Sequence, residues 1–108
     1  MWGVEGYDLR MAEGDFGVKL PITVHETTLT EHDALRLTFK KNKNGECILE
    51  KEYTGTDIEN NTANLEFTEE ESAKFPPGLY VYRLDWYQSG VFMCSLIDCA
   101  VFKVVDKA

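Results

Sequence analysis

The chain has 108 residues, of which 44% are hydrophobic and 12% aromatic, and its 19 acidic residues outnumber its 11 lysines and arginines for a formal net charge of −8. This length predicts a single domain over residues 1–108, and the apolar content excludes a disordered chain. The acidic balance argues against nucleic acids and anionic membranes as partners, because phosphate contacts need clustered Lys and Arg.

A two-residue alternation of apolar and polar side chains predicts β-strands with one buried and one exposed face. The alternation is clearest over residues 18–24, 35–39, 80–86 and 100–104. Pro21 has no amide donor, so its strand is predicted at a sheet edge or with a bulge. Strands are predicted near residues 7–11, 16–24, 34–40, 46–53, 63–67, 79–87, 91–97 and 100–105. Seven to eight short strands with regular turns predict an all-β fold, an immunoglobulin-like antiparallel β-sandwich.

One segment departs from the strand pattern and predicts a short helical turn near residues 69–75. Thr68 and Glu71 have the spacing of a capping box. The following Pro76-Pro77 ends the turn. The acidic run in this segment is therefore interpreted as a helix cap rather than a binding site.

Aromatic residues are predicted both in the core and at the surface. Tyr80, Tyr82 and Trp86 alternate in register and are expected to fill the core. Tyr80 or Tyr82 is also expected to form a tyrosine corner, in which the hydroxyl bonds back to the preceding connection. Tyr87 points to the opposite face, and Trp2 lies near a terminus, so these two are candidate contact residues for a sugar or a protein partner.

The three cysteines have no diagnostic spacing. Cys47, Cys94 and Cys99 match neither a CxxC redox pair nor a zinc knuckle. They are predicted to be buried or half-buried free thiols. A Cys94–Cys99 bridge across a tight bend is the alternative, which an intracellular chain would not keep. The N-terminal residues have neither the basic nor the apolar region of a secretory signal, so none is expected.

The sequence has no catalytic constellation, and no catalytic, metal or cofactor residue is assigned. His25 and His32 are predicted at the surface. Residues 57–61 place oxygen ligands at positions one, three and five, as a calcium loop does. However, Thr62 and Thr68 occupy the positions of the sharp-turn glycine and the bidentate acid, so a polar connection is the simpler interpretation.

Five segments carry turn and core motifs along the chain: Asp8-Leu9-Arg10-Met11-x-x-Gly14-Asp15, Leu29-Thr30, Leu65-x-Phe67-Thr68-x-Glu70-Glu71, Pro76-Pro77-Gly78-x-Tyr80-x-Tyr82-x-Leu84 and Leu96-Ile97-x-x-Ala100-x-Phe102-x-Val104-Val105-Asp106. Their order resembles that in a group of small immunoglobulin-like domains of tailed-phage and prophage structural proteins, and it is most similar to the N-terminal domains of baseplate upper proteins. These domains often have a glycine at the position of Cys99, so a less sharply bent final hairpin is expected here.

The resemblance implies assembly rather than turnover, in a tail, baseplate or neck accessory component. Partners would be other phage structural proteins and further copies of the chain in a homo-oligomer, and the location would be the virion or the bacterial host cytoplasm. The basic hairpin tip with Lys40, Lys41 and Lys43 could steer docking onto an acidic neighbour. The alternative function is a carbohydrate-binding β-sandwich module that uses exposed aromatic residues. An enzyme is the least favoured hypothesis.

Overall fold

A computed structural model describes residues 2–25 and 27–107. Within these residues the structure is all-β, as predicted, with two short helical turns. Neither turn is long or apolar enough to cross a membrane. The strands are β1 (Gly3–Glu5), β2 (Asp8–Ala12), β3 (Leu20–Thr23), β4 (Asp33–Lys40), β5 (Cys47–Tyr53), β6 (Thr62–Leu65), β7 (Gly78–Gln88) and β8 (Val91–Val105), and the helical turns are a 3₁₀ turn (Gly55–Asp57) and α1 (Glu69–Ser72).

The strands form a six-stranded sheet in the order β1-β2-β8-β7-β4-β5, and a two-stranded sheet of β3 and β6. The order β8-β7-β4-β5 opposite β3-β6 corresponds to strands G-F-C-C′ and B-E of an immunoglobulin-like sandwich. Pairing between the named strands is antiparallel except between β2 and β8, which run parallel with Leu9 opposite Phe102. Alternation within a strand does not encode the direction of its neighbour, so this parallel pair was not predicted.

Four predicted strands have different bounds in the structure. The segment near 7–11 lies in a hairpin of β1 and β2, and the segment over 16–24 is a strand only at Leu20–Thr23. The segments 91–97 and 100–105 join into the single strand β8. Cys99 adopts a left-handed φ of 61° within β8, although glycine is the usual residue for that conformation. The chain therefore bends there without leaving the strand.

The core is built largely from aromatic rings between the two sheets. Phe39, Phe67, Phe75 and Phe102 are fully buried, and the rings of Phe67 and Phe75 stack with centroids 5.4 Å apart. Because Phe75 follows α1, this stacking packs the helical turn onto the core. Thr68 caps α1 by accepting a hydrogen bond from the Glu71 amide at 3.1 Å, which confirms the predicted capping box.

The tyrosines of β7 occupy the predicted core positions. Tyr80 and Tyr82 are buried, whereas Trp86 is half-buried and packs against the core. The Tyr80 hydroxyl donates to the carbonyl oxygen of Pro76 at 2.5 Å, four residues earlier. This is the predicted tyrosine corner. The Tyr82 hydroxyl instead donates to the carbonyl oxygen of Tyr7 and so ties the turn between β1 and β2 to β7.

Pro21 lies in an edge strand, as predicted. The amide of Val24 donates to the Asn61 carbonyl oxygen at 2.9 Å, so the alternate amides of Ile22 and Leu20 also face β6. Pro21 falls between them and faces the free edge. The missing amide therefore costs no bond within the sheet, and it removes a donor that another strand could use.

Candidate functional site

The two histidines lie at the surface of the described chain, and neither belongs to a metal-binding group there. His25 and His32 are exposed, as predicted, and His32 lies 3.6 Å from the exposed carboxylate of Glu31. No group of three His, Cys, Asp or Glu side chains in residues 2–25 and 27–107 could hold a metal ion. Neither histidine is paired with a nucleophile among the contacts of the described chain.

The polar residues at 57–61 hold the backbone instead of presenting oxygens to a cation. Asp57 accepts a hydrogen bond from the Thr54 amide at 3.0 Å and so caps the 3₁₀ turn. Asn61 donates to the carbonyl oxygens of Val24 and Thr27 at 3.0 and 2.6 Å, and its own oxygen accepts from the Leu29 amide at 2.8 Å. The calcium-like spacing therefore reflects a connection that ties β3 to β6.

A polar cluster on the outer face of the six-stranded sheet also serves the fold. The carboxylate of Asp85 is buried and accepts hydrogen bonds from Arg83 at 3.0 Å and from Ser95 at 2.7 Å. Arg83 in turn donates to the Ser95 hydroxyl at 2.5 Å. The three side chains satisfy one another across β7 and β8 through these hydrogen bonds.

The prediction of buried or half-buried cysteines is wrong, because Cys47, Cys94 and Cys99 are all exposed. The alternative Cys94–Cys99 bridge is also absent, since both thiols are free on the single strand β8. Each cysteine lies at a register shift of the sheet: Cys47 beside the shift at Phe39/Lys40, and the other two beside shifts in the β7–β8 pair. A bulge inserts an extra residue into one strand and changes the direction of the neighbouring side chains. The two-residue alternation therefore predicts the wrong face for these cysteines.

Trp2, a predicted contact residue, packs largely against the core. Its ring is half-buried, with its centroid 5.3 Å from that of Phe67 and 5.9 Å from that of Phe102. The indole nitrogen donates to the Val18 carbonyl oxygen at 2.9 Å. Trp2 therefore closes one side of the sandwich, and only part of its ring is available to a partner.

Tyr87 lies at the base of an exposed apolar surface. Its half-buried ring carries the Arg36 guanidinium 4.4 Å from the centroid, and it meets the Phe92 ring edge to face at 5.6 Å. Val91, Phe92 and Met93 follow on β8, with Val91 62% exposed. Phe92 lies opposite Tyr87 and Val91 opposite Gln88, so these exposed side chains flank both faces at the end of the β7–β8 hairpin. We call them the hairpin patch: Tyr87, Val91, Phe92 and Met93.

The hairpin patch is exposed because β8 extends well beyond the residues that pair with β2. β2 pairs with β8 only over residues 102–105, whereas β7 pairs with it over the full hairpin. Residues 91–100 therefore have β7 on one side and no named strand on the other. The run Val91-Phe92-Met93 has no polar residue between its apolar ones, and this break in the alternation was the sequence signal for the patch.

The three lysines of the β4–β5 hairpin have different contacts. The Lys41 ammonium lies 4.6 Å from the centroid of the Tyr80 ring and donates to the Leu79 carbonyl oxygen at 3.4 Å. Lys40 and Lys43 line a cleft of about 140 Å³ together with Arg83 and Val81. Lys41 is therefore engaged with β7, whereas Lys40 and Lys43 border a cleft.

A larger groove of about 410 Å³ opens between the sheets beside the β1–β2 hairpin. Leu20 and Ile22 of β3, and Leu96 and Ile97 of β8, contribute to its mostly apolar lining. Tyr7, Thr23 and His25, which also line the groove, are exposed. Such a lining can hold an apolar group, but it brings no two catalytic side chains together.

No protein-family model, curated protein or solved structure matches this chain. The function is therefore inferred from the surfaces of the domain. The hairpin patch, the cleft beside Lys43 and the apolar groove are suited to binding. Arg36 beside the hairpin patch donates a hydrogen bond to Tyr87, and Arg83 beside the cleft donates one to Ser95.

Proposed function

We propose that this protein is a non-enzymatic structural or assembly component of a phage or prophage particle and acts through protein–protein contacts. The hairpin patch is the observation that carries this proposal. Its apolar side chains project from the end of β7 and from the part of β8 that has only β7 as a neighbour, and apolar clusters of this kind become buried in protein interfaces. The partner is therefore another protein with an apolar surface.

The edge of β8 favours contact through side chains over simple addition of a strand. The β7–β8 pair has three register shifts between Tyr82 and Tyr87. Bulges bend an edge and disrupt the regular row of donors and acceptors that an added strand needs. The exposed side chains of Phe92 and Met93 remain available on this bent edge.

The particle context rests on the resemblance of motifs described above. The segments 8–15, 65–71 and 76–84 are similar to immunoglobulin-like domains of tailed-phage and prophage structural proteins. Components of such particles occur in repeated copies under symmetry, so one modest patch acts many times. A tail, baseplate or neck accessory component is the proposed role.

The geometry of the hairpin patch weighs against the carbohydrate-binding alternative. Tyr87 and Phe92 meet at an interplanar angle of 68°, so they form no flat platform for a sugar ring. The guanidinium of Arg36 also covers one face of the Tyr87 ring. A protein side chain can pack into the angle between the two rings.

The test is mass spectrometry on particles purified after induction of the strain that encodes the chain. Stoichiometric peptides from this chain are expected together with capsid and tail proteins. A Val91→Ser/Phe92→Ser variant should be lost from the particles, whereas Phe16→Ser, which removes an exposed phenylalanine elsewhere, should be retained. Particles that lack the native chain, or that retain the double variant at native level, would overturn the proposal.

A further inference from the structure

Cations from three separate parts of the sequence meet on the outer face of the six-stranded sheet, at the end opposite the hairpin patch. The β2–β8 register places Arg10 opposite Lys103, and the β4–β7 register places Lys40 opposite Val81. Val81 in turn lies opposite Val101 of β8. We call this surface the cationic face and define it by Arg10, Lys40, Lys43, Lys103, Leu79 and Val101.

The four cations of this face have no ion pair within residues 2–25 and 27–107. Arg36, Lys51 and Arg83 are each paired with a carboxylate, whereas Lys19, Lys41, Lys74 and Lys107 also have no ion pair within the described residues. A shortage of acids does not explain the difference, because the chain has 19 acidic residues against 11 basic ones. The positive charge of the cationic face is therefore available to a partner.

Asp8 and Asp98 lie at the border of the face. Asp98 lines the cleft that also contains Lys40 and Lys43. Asp8 accepts a hydrogen bond from the Val101 amide at 3.1 Å, so one of its oxygens is engaged by the backbone. Neither carboxylate forms an ion pair with the four cations in residues 2–25 and 27–107.

The middle of the face is apolar. Leu79 is 60% exposed and Val101 is 39% exposed, and both lie between the cations of β2 and β8 and those of the β4–β5 hairpin. An apolar centre with a charged rim is the arrangement found in protein interfaces. The adjacent cleft of about 140 Å³ can accept a side chain of the partner.

We infer that the cationic face binds an acidic protein segment that has apolar residues between its carboxylates. This inference rests on the proposed assembly function and specifies the chemistry of a second partner surface. Charge complementarity carries it, because unpaired cations surround exposed apolar side chains. The negative charge on the rest of the chain repels an acidic partner elsewhere and so orients it toward this face.

The test uses the full ¹⁵N-labelled chain and the synthetic peptide Glu-Glu-Leu-Leu-Glu-Glu as the probe. At an ionic strength of about 0.01 M, where the Debye length is about 30 Å, saturable amide shifts are expected at Arg10, Leu79, Val101 and Lys103. Raising the ionic strength to about 1 M, where the Debye length is about 3 Å, should abolish them. Shifts that cluster elsewhere, or no saturable shifts, would overturn the inference.

Matched variants distinguish binding at the cationic face from an effect of the net charge of the chain. Lys40→Glu/Lys103→Glu should weaken peptide binding by at least about tenfold. Lys19→Glu/Lys74→Glu makes the same change in net charge at exposed lysines away from the face and should stay within about twofold of native. Equal loss in both variants would contradict the inference. If the spectrum of the first variant shows unfolding, Lys40→Gln/Lys103→Gln and Lys19→Gln/Lys74→Gln replace the two variants, so that the change in net charge stays matched.

Sedimentation identifies the occupant of the cationic face, and incorporation into particles distinguishes failure of this inference from failure of the proposed function. If sedimentation of the native chain shows self-association that Lys40→Glu/Lys103→Glu abolishes, the occupant is a second copy, and the inferred separate partner is wrong. Failure of peptide binding with normal incorporation into particles would overturn the cationic face and leave the proposed function intact. Peptide binding by a chain that is absent from particles would overturn the proposed function alone.

Discussion

The indole nitrogen of Trp86 donates a hydrogen bond of 2.9 Å to Oδ1 of Asp33, which joins β7 to the first residue of β4. Asp33 is only 2% exposed, and its other oxygen accepts hydrogen bonds from the amide and hydroxyl of Thr30 at 2.6 and 3.1 Å. A buried carboxylate is thus satisfied by donors from two elements. This arrangement makes the sandwich sensitive to acid.

Asp33 should contribute stability that is lost at low pH. Burial raises the pKa of Asp33, but the hydrogen bonds from Thr30 and Trp86 together outweigh it and lower the pKa. Because the folded pKa lies below the unfolded value of about 3.9, the contribution is present above that pH and disappears as the pH falls through the folded pKa. The free energy of unfolding of native protein should therefore fall more steeply below about pH 4 than that of Asp33→Asn.

The measurement is urea unfolding of both proteins across the acidic range. At neutral pH, Asp33→Asn should cost about 1–3 kcal/mol, because an amide cannot accept all the donors that the carboxylate accepts. Parallel pH profiles for the two proteins would show that Asp33 is not the acid-sensitive group.

Tyr80→Phe should destabilise the domain by about 1–2 kcal/mol, because it removes the corner bond and leaves the Pro76 carbonyl without this donor. Tyr82→Phe should instead lower amide exchange protection mainly in β1 and β2, since the Tyr82 hydroxyl holds the Tyr7 carbonyl. Tyr87→Phe is the matched control and should cost less than about 0.5 kcal/mol, because its hydroxyl only accepts a bond from Arg36 near the surface. Equal losses in all three variants would contradict these assignments.

Lys51 anchors α1 to β5, so its removal should loosen the helical turn. Its ammonium donates to Glu71 at 2.8 Å and to the Glu66 carbonyl oxygen at 2.5 Å, and the Lys51 and Glu71 side chains are 19% and 22% exposed. Burial raises the pKa of Glu71, but the bonds from Lys51 and Thr68 outweigh it and lower the pKa. Lys51→Met should therefore raise the pKa of Glu71 and cost about 2–3 kcal/mol, somewhat below the loss for a fully buried pair.

A double-mutant cycle tests this pair. Lys51→Met/Glu71→Gln should be more stable than the sum of the two single losses predicts, because the second change removes the unpaired carboxylate. Strict additivity in chemical unfolding would show that the two side chains do not interact.

Cys99→Gly should stabilise the protein by about 0.5–1 kcal/mol. The left-handed φ of 61° costs an L-residue more than it costs glycine, and the greater flexibility of unfolded glycine offsets part of the gain. Cys99→Ala keeps the backbone cost and should leave the urea midpoint nearly unchanged. Stabilisation by alanine equal to that by glycine would locate the effect in the thiol instead of the backbone.

All three thiols should react with a maleimide in the native state without denaturant. Cys47, Cys94 and Cys99 are exposed, and none is in a disulfide. Intact-mass measurement should therefore find three adducts on the folded chain. Labelling that requires denaturant would contradict the exposed positions beside the register shifts.

Patterns within one element were sufficient for much of the fold. Alternation identified the buried rings of Tyr80 and Tyr82, the Thr68–Glu71 pair predicted α1, and the missing amide of Pro21 indicated an edge. Each of these depends on the period of a strand, the first turn of a helix or the donor count of one residue. Such properties are local and can be read before the partner strand is known.

The candidate surfaces depended on contacts between distant residues. Alternation predicted buried or half-buried cysteines, but bulges exposed all three, and the core rings of Phe67 and Phe102 partly enclosed Trp2. A bulge arises from the pairing of two strands, and aromatic packing arises from the approach of two sheets. Neither is encoded in the period of a single segment.

Composition and local spacing were sufficient to predict an all-β domain with a net charge of −8, a capped helical turn and a tyrosine corner. The extension of β8 past β2, where Phe92 is exposed, depends instead on how the strands assemble. The same is true of the placement of Lys40 on one face with Arg10 and Lys103, and of the contact between Lys41 and the Tyr80 ring. The reason is that strand order and register bring together side chains that are far apart along the chain, and a local pattern contains neither.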